Sequence, residues 1–140
     1  MRVLGLDLGS KTLGMALSDP SAILATGIGT LRFPEHDYDY ALHELMQVIE
    51  REKVGKIILG HPKNMDNTSG FQAQVSEEFK QKIEGQCDIE VVLWDERLTT
   101  HMAHHALFQT HSKRNTKKQK VDQIAATVLL QSYLDSRKQG

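Results

Sequence analysis

The chain has 140 residues, 39% of them hydrophobic and 25% charged, with only 3 Pro and 10 Gly. That length suits one domain with a real core, residues 1–140, and the composition excludes a disordered, collagen-like or low-complexity polypeptide. Its 17 basic and 18 acidic residues nearly cancel, yet Lys113, Arg114, Lys117, Lys118 and Lys120 fall in one stretch with no acid between them. Without those five the remainder is net negative by six, which is unlike a general nucleic-acid coating protein and suits an enzyme that gathers carboxylates and grips phosphate locally.

In chain order, Arg2–Asp7 reads as a short apolar strand, Leu13–Ser18 as a second after a Gly-Ser-Lys turn, and Ala22–Leu31 as a third after Asp19-Pro20. Links this short exclude parallel crossovers, so the three strands form an antiparallel meander. Leu42, Leu45, Met46 and Ile49 make a helical stripe, Lys56–Gly60 a buried strand, Phe71, Val75, Phe79 and Ile83 a second helix, and Ile89–Trp94 another strand. Thr99 or Thr100 can cap a helix carrying Met102, Ala103, Ala106 and Leu107, and a last helix runs from about Val121 to Asp135. Between these two helices the basic segment from Ser112 to Lys120 contains no hydrophobic residue and reads as a mobile loop. The expected fold class is α/β: a mixed five-stranded sheet, three antiparallel strands followed by two parallel ones with crossover helices, flanked by helices.

No apolar run approaches the roughly 20 residues needed to cross a bilayer. The opening Met1-Arg2-Val3-Leu4-Gly5-Leu6-Asp7 meets charge too early for a secretory signal, so a cytoplasmic protein with no membrane partner is expected. The single cysteine, Cys87, excludes an internal disulfide and a cysteine-built zinc site.

In open sheets of this kind ligands gather beyond the carboxyl ends of the parallel strands. Asp7 closes the first strand, Asp95-Glu96 follows the fifth, and Asp122 opens the last expected helix. Any one acid has a bland explanation, Asp122 for instance as a contributor to a helix N-terminus. Three carboxylates converging on one edge repel, and stay ionised only beside a cation. Oxygen ligands without cysteine or a fixed histidine favour Mg²⁺ or Mn²⁺, and two such ions can drive phosphodiester hydrolysis.

The residues Gly5-Leu6-Asp7-Leu8-Gly9-Ser10-Lys11-Thr12, with Gly14 and Ala16, then Asn64-Met65-Asp66, Asp95-Glu96-Arg97-Leu98-Thr99-Thr100 and Lys120-Val121-Asp122, resemble the YqgF family, also called RuvX, of bacterial RNase H-like nucleases. The resemblance runs over nearly the whole chain in the same order and spacing. It implies an RNase H-like fold, a nuclease site using Mg²⁺ or Mn²⁺, and maturation of the 5′ end of pre-16S rRNA in ribosome biogenesis. Holliday-junction resolution, by analogy with RuvC, is the alternative, and a catalytically silent RNA or ribosome-binding adaptor is another. The family's acidic triad matches Asp7, Glu96 and Asp122. Departures are His61, where a hydrophobic residue is common, Asn67 in place of a turn glycine, and Ala125, where RuvC itself carries an acid.

Expected substrate contacts are Lys11 in the first hairpin, Asn64 after the fourth strand, Arg97 beside Glu96, and Lys113, Arg114, Lys117 and Lys118 of the basic segment. The partner is then structured RNA or branched DNA, with the ribosome a further candidate, for a monomer or a homodimer. Gly5–Lys11 also resembles the phosphate hairpin of actin-like and sugar-kinase ATPases, but those bind ATP between two such domains and this length supplies one. His101 and His105 have zinc-ligand spacing without a third ligand and read as a solvated helix face, and Trp94 reads as core rather than as a base-stacking platform.

Overall fold

A computed structural model describes residues 2–62, 70–95 and 114–138, with side chains at 2–62, 70–95 and 123–137. The elements run β1 (Arg2–Leu8), β2 (Thr12–Ser18), β3 (Ala25–Arg32), α1 (Tyr38–Arg51), β4 (Val54–His61), α2 (Phe71–Gln86), β5 (Glu90–Asp95) and α3 (Arg114–Lys138). The five strands form one sheet in the order β3-β2-β1-β4-β5. β1 pairs antiparallel with β2, and β2 with β3, whereas β1–β4 and β4–β5 are parallel. The expected architecture is the observed one.

Strand alternation divides the sheet into two faces. Leu4, Leu6 and Leu8 of β1, with Leu13, Met15, Leu17, Ile57, Leu59 and Val91, pack against Leu42, Leu45 and Ile49 of α1 and Val75, Phe79 and Ile83 of α2. The intervening residues Val3, Ala16 and Ile58 pack on the other face against Ala126, Leu129, Leu130, Tyr133 and Leu134 of α3. Gly5, Ala16 and Gly27 are register partners across β1, β2 and β3. This row of small residues lets α3 lie close: a Cβ at Gly5 would meet Leu130 Cβ at 2.7 Å, and one at Gly27 would meet Gln123 Nε2 at 2.5 Å.

Two expectations are corrected. β3 begins at Ala25 rather than Ala22, because the Asp19 carboxylate accepts the Ile23 and Leu24 N–H groups at 2.7 and 2.9 Å and Ala22 sits at φ 57°. These groups close a turn, so they cannot join the ladder. The last helix begins at Arg114 rather than near Val121, so the basic segment from Arg114 onward is helical and not a loop. Lys, Arg and Gln are good helix formers and neither Pro nor Gly interrupts the stretch; its lack of apolar residues hid the helix from a periodicity reading. The helix expected around Met102–Leu107 lies outside the described residues, as do 112 and 113.

Candidate active site

The parallel strands bring their carboxyl ends to one edge. Leu6 is opposite Leu59, Gly60 opposite Trp94 and His61 opposite Asp95, so Asp7 reaches the level of the last residues of β4 and β5. Asp7 alternates with Val3 and Gly5 and therefore lies on the α3 face, half-buried, beside Gly14 of β2. Among the described residues it has no hydrogen-bond or ion-pair partner.

α3 runs antiparallel to β1. Leu134 and Arg137 line a cleft with Val3 and Arg2, while Leu130 and the Ala126 carbonyl meet Gly5 further along. One turn before Ala126 stands Asp122, so the direction of the helix carries that position toward the carboxyl edge. Because α3 starts at Arg114, Asp122 is in its third turn, and the helix dipole, which acts within the first turn, no longer accounts for an acid there. Asp122 precedes Ala126 by one turn with an offset round the helix of about 40°, so its position stays near the face that packs on Gly5; Lys118, a further turn back, is offset by about 80°, and Arg114 by about 120°. Lys11 is exposed in the turn between β1 and β2, its carbonyl accepting the Phe33 N–H at 2.9 Å. Glu96, Asn64, Arg97 and Lys113 lie outside the described residues.

Asp95 and Asp7 differ in an instructive way. Trp94 packs on the α3 side of the sheet, its ring edge-on to Tyr133 with centroids 5.4 Å apart and its Nε1 donating to Ser132 Oγ at 3.3 Å, which bears out the core reading. Asp95 therefore alternates to the opposite face, with Leu93 and with its ladder partner His61. Of the Asp95-Glu96 pair, the first acid is on the wrong side of the sheet to join Asp7.

Sequence reasoning overlooked two contacts at this edge. His61, 8% exposed, shares a 3.0 Å hydrogen bond between Nε2 and Glu77 Oε1 of α2. Gln72 Nε2 in the first turn of α2 donates to the Leu8 carbonyl at 3.0 Å, tying that helix to the end of β1 next to Asp7. Both join segments far apart in the chain, and neither residue type signals its partner. No group of three His, Cys, Asp or Glu side chains able to hold a metal occurs among the described residues, a set that excludes Glu96 and the Asp122 side chain. No described helix is long and apolar enough to cross a membrane.

A relative from Geobacillus sp. (strain WCH70) named "Putative pre-16S rRNA nuclease" is 45% identical over 137 residues, 98% of this chain and 99% of that protein. One of the same name from Bacillus subtilis (strain 168) is 46% identical over 136 residues, covering 97% and 99%. Among solved structures, Thermus thermophilus RuvC in complex with a Holliday junction substrate superposes with a TM-score of 0.65 at 12% identity, over 99% of this chain and 96% of that one. At that identity the likeness establishes the fold, of the RuvC and RNase H-like kind. The family described as "RuvX: Holliday junction resolvase" matches residues 1–136, and with close relatives over the same span it is the family to which this chain belongs.

Proposed function

We propose that the chain is a metal-dependent nuclease that hydrolyses phosphodiester bonds of structured RNA, in 5′-end processing of pre-16S rRNA. The observation that carries this reading is Asp7, a half-buried carboxylate at the carboxyl edge of the sheet with no partner among the described residues. A carboxylate is a hard oxygen donor, which fits a hard cation such as Mg²⁺ or Mn²⁺. The relatives named as pre-16S rRNA nucleases support the substrate.

In this reading Asp7, Glu96 and Asp122 hold Mg²⁺ or Mn²⁺, two ions when fully loaded. Bound there, the ions supply Lewis-acid charge for the attacking water and the departing oxygen. The remaining work belongs to the chain's own cations. Lys11, exposed at the hairpin tip, and Arg97, next to Glu96, neutralise phosphate close to the acids, and Asn64 hydrogen-bonds the strand. Lys113 and the helical Arg114, Lys117 and Lys118 hold the flanking backbone, since Lys118 stands one turn before Asp122 and Arg114 and Lys117 lie nearer the start of the same helix.

A second reading, cleavage of a Holliday junction, is favoured by the family description and by the RuvC fold. Paired cuts on a four-way junction call for a two-fold dimer, whereas trimming an rRNA end on a ribosomal particle suits a monomer. Incubation of the purified protein with 5′-extended 16S precursor RNA and, separately, a four-way DNA junction, each with Mg²⁺, Mn²⁺ or chelator, tests both. Metal-dependent shortening of the precursor with the junction left intact is expected. Symmetric junction cleavage with an untouched precursor would reverse the order of the two readings.

A further inference from the structure

At the amino edge of the sheet, opposite the acids, a cleft of about 450 Å³ is lined by Arg2, Ser21, Ile23, Lys56 and Arg137 among others, with no acidic side chain among the described residues of its wall. Its size is that of a small-ligand site. Two of its cations converge on one neutral oxygen: Lys56 Nζ and Arg137 Nη1 each donate to the Tyr133 hydroxyl at 3.1 Å, and both also lie over the Tyr133 ring. Burial pushes the Tyr133 hydroxyl up, but the hydrogen bonds from Lys56 and Arg137 outweigh it and hold the group below its ordinary value. The surroundings therefore favour negative charge.

The acids nearby offset this only in part. Glu90 lies 3.1 Å from Lys56 and Glu52 lies 3.5 Å from Arg2, but the Glu90 and Arg2 side chains are 64% and 40% exposed. Pairs that open to water contribute at most about 1 kcal/mol and yield readily to a better anion. Arg137 has no acidic partner among the described residues; its guanidinium is anchored on a phenol and keeps donors to spare. Fixing two cations on one uncharged acceptor is unfavourable unless an anion completes the site, and the exposed Ile23 beside them offers an apolar rim.

We propose that this cleft is a phosphate site, in which Arg2, Lys56 and Arg137 together hold one phosphate ester, supplied by a nucleic-acid strand or by a small sugar phosphate. It lies at the end of the sheet away from Asp7 and does not depend on hydrolysis there. Trp94 is the only tryptophan of the chain and touches the Tyr133 ring, so its fluorescence reports occupancy directly.

The full-length protein in chelator is titrated with ribose 5-phosphate, with ribose as the uncharged control, and a short labelled single-stranded RNA is titrated by anisotropy. Ribose 5-phosphate should change Trp94 emission saturably and ribose should not. Arg137→Gln combined with Arg2→Gln should weaken the phosphate probe at least tenfold, and Arg137→Lys, which keeps the charge, should recover part of that loss. If the natural source is a strand, RNA affinity falls in parallel; if it is a small phosphate, RNA affinity is unchanged while binding of the sugar phosphate disappears. Manganese-dependent hydrolysis of a simple phosphodiester should persist in the double variant, which separates this site from the acid edge. Absence of any saturable Trp94 response to ribose 5-phosphate in the wild-type protein, or affinities for both probes that are unaltered in the double variant, would overturn the assignment.

Discussion

Leu130 packs directly against the Gly5 backbone, so closely that a Cβ at position 5 would lie 2.7 Å from the Leu130 Cβ and 3.1 Å from the Ala126 carbonyl oxygen. Neither neighbour is the far end of a flexible side chain, so even alanine must push α3 away from β1. Gly5→Ala is expected to cost about 1–3 kcal/mol, the usual range for overpacking a tight core. It should also lower nuclease activity beyond what instability explains, because the same helix carries Asp122. Urea unfolding and hydrolysis assays well below the melting temperature check the two effects separately.

Metal binding should be visible without substrate. A cation bound only by the folded protein stabilises it by about 2.7 kcal/mol at a hundredfold excess over Kd, which for a domain of this size raises Tm on the order of 8 °C. Mn²⁺ should shift the wild-type melting curve upward and leave Asp7→Asn unmoved. In chelator, Glu96→Gln and Asp122→Asn are expected to be neutral or stabilising, since each removes one charge from a repelling group.

The architecture was legible because the strands alternate and α1 and α2 carry apolar stripes: Leu4, Leu6 and Leu8 point one way, and Leu42, Leu45 and Ile49 share a helix face. The carboxyl edge followed from the strand directions alone. The start of α3 did not, because residues 114–120 offer a helix propensity but no apolar residue to reveal it. The His61–Glu77 bond and the seat of Leu130 on Gly5 depend on segments that meet only after folding. The amino-edge cleft was equally hidden, since Arg2, Lys56 and Arg137 look like unrelated surface cations until the sheet and α3 bring them together.

The basic start of α3 gives a substitution that is clean in structural terms. Gln has nearly the helix propensity of Lys and Arg, so replacing Arg114, Lys117 and Lys118, together with the preceding Lys113, removes charge while leaving the helix. RNA affinity should fall, and the slope of log affinity against log salt should flatten by about 0.7 to 0.9 for each phosphate no longer neutralised. Hydrolysis at saturating RNA should be reduced far less than binding. A salt titration of both proteins checks it.

Asp19 supplies a pH-dependent contribution far from the acids. N–H groups of Leu24 and Ile23 donate to its carboxylate and hold its pKa below the ordinary 3.8. A lowered folded-state value means stabilisation that is complete above the unfolded pKa and lost as pH falls through the folded one. Asp19→Asn keeps an acceptor oxygen but not the charge. The variant should therefore be less stable than wild type at neutral pH, with the gap closing below pH 3.8, as measured by urea unfolding across an acid series.

If the carboxylate at the end of β1 holds the metal that cuts RNA, the rate at which wild type and Asp7→Asn hydrolyse 5′-extended 16S precursor in Mn²⁺ must differ. With the fold verified by an unchanged far-UV spectrum, Asp7→Asn is expected to lose activity by at least a hundredfold, the usual order for removing a group that stabilises charge in the transition state. An Asp7→Asn protein that processes the precursor at the wild-type rate, with the same dependence on metal, would show that Asp7 does not hold the catalytic metal.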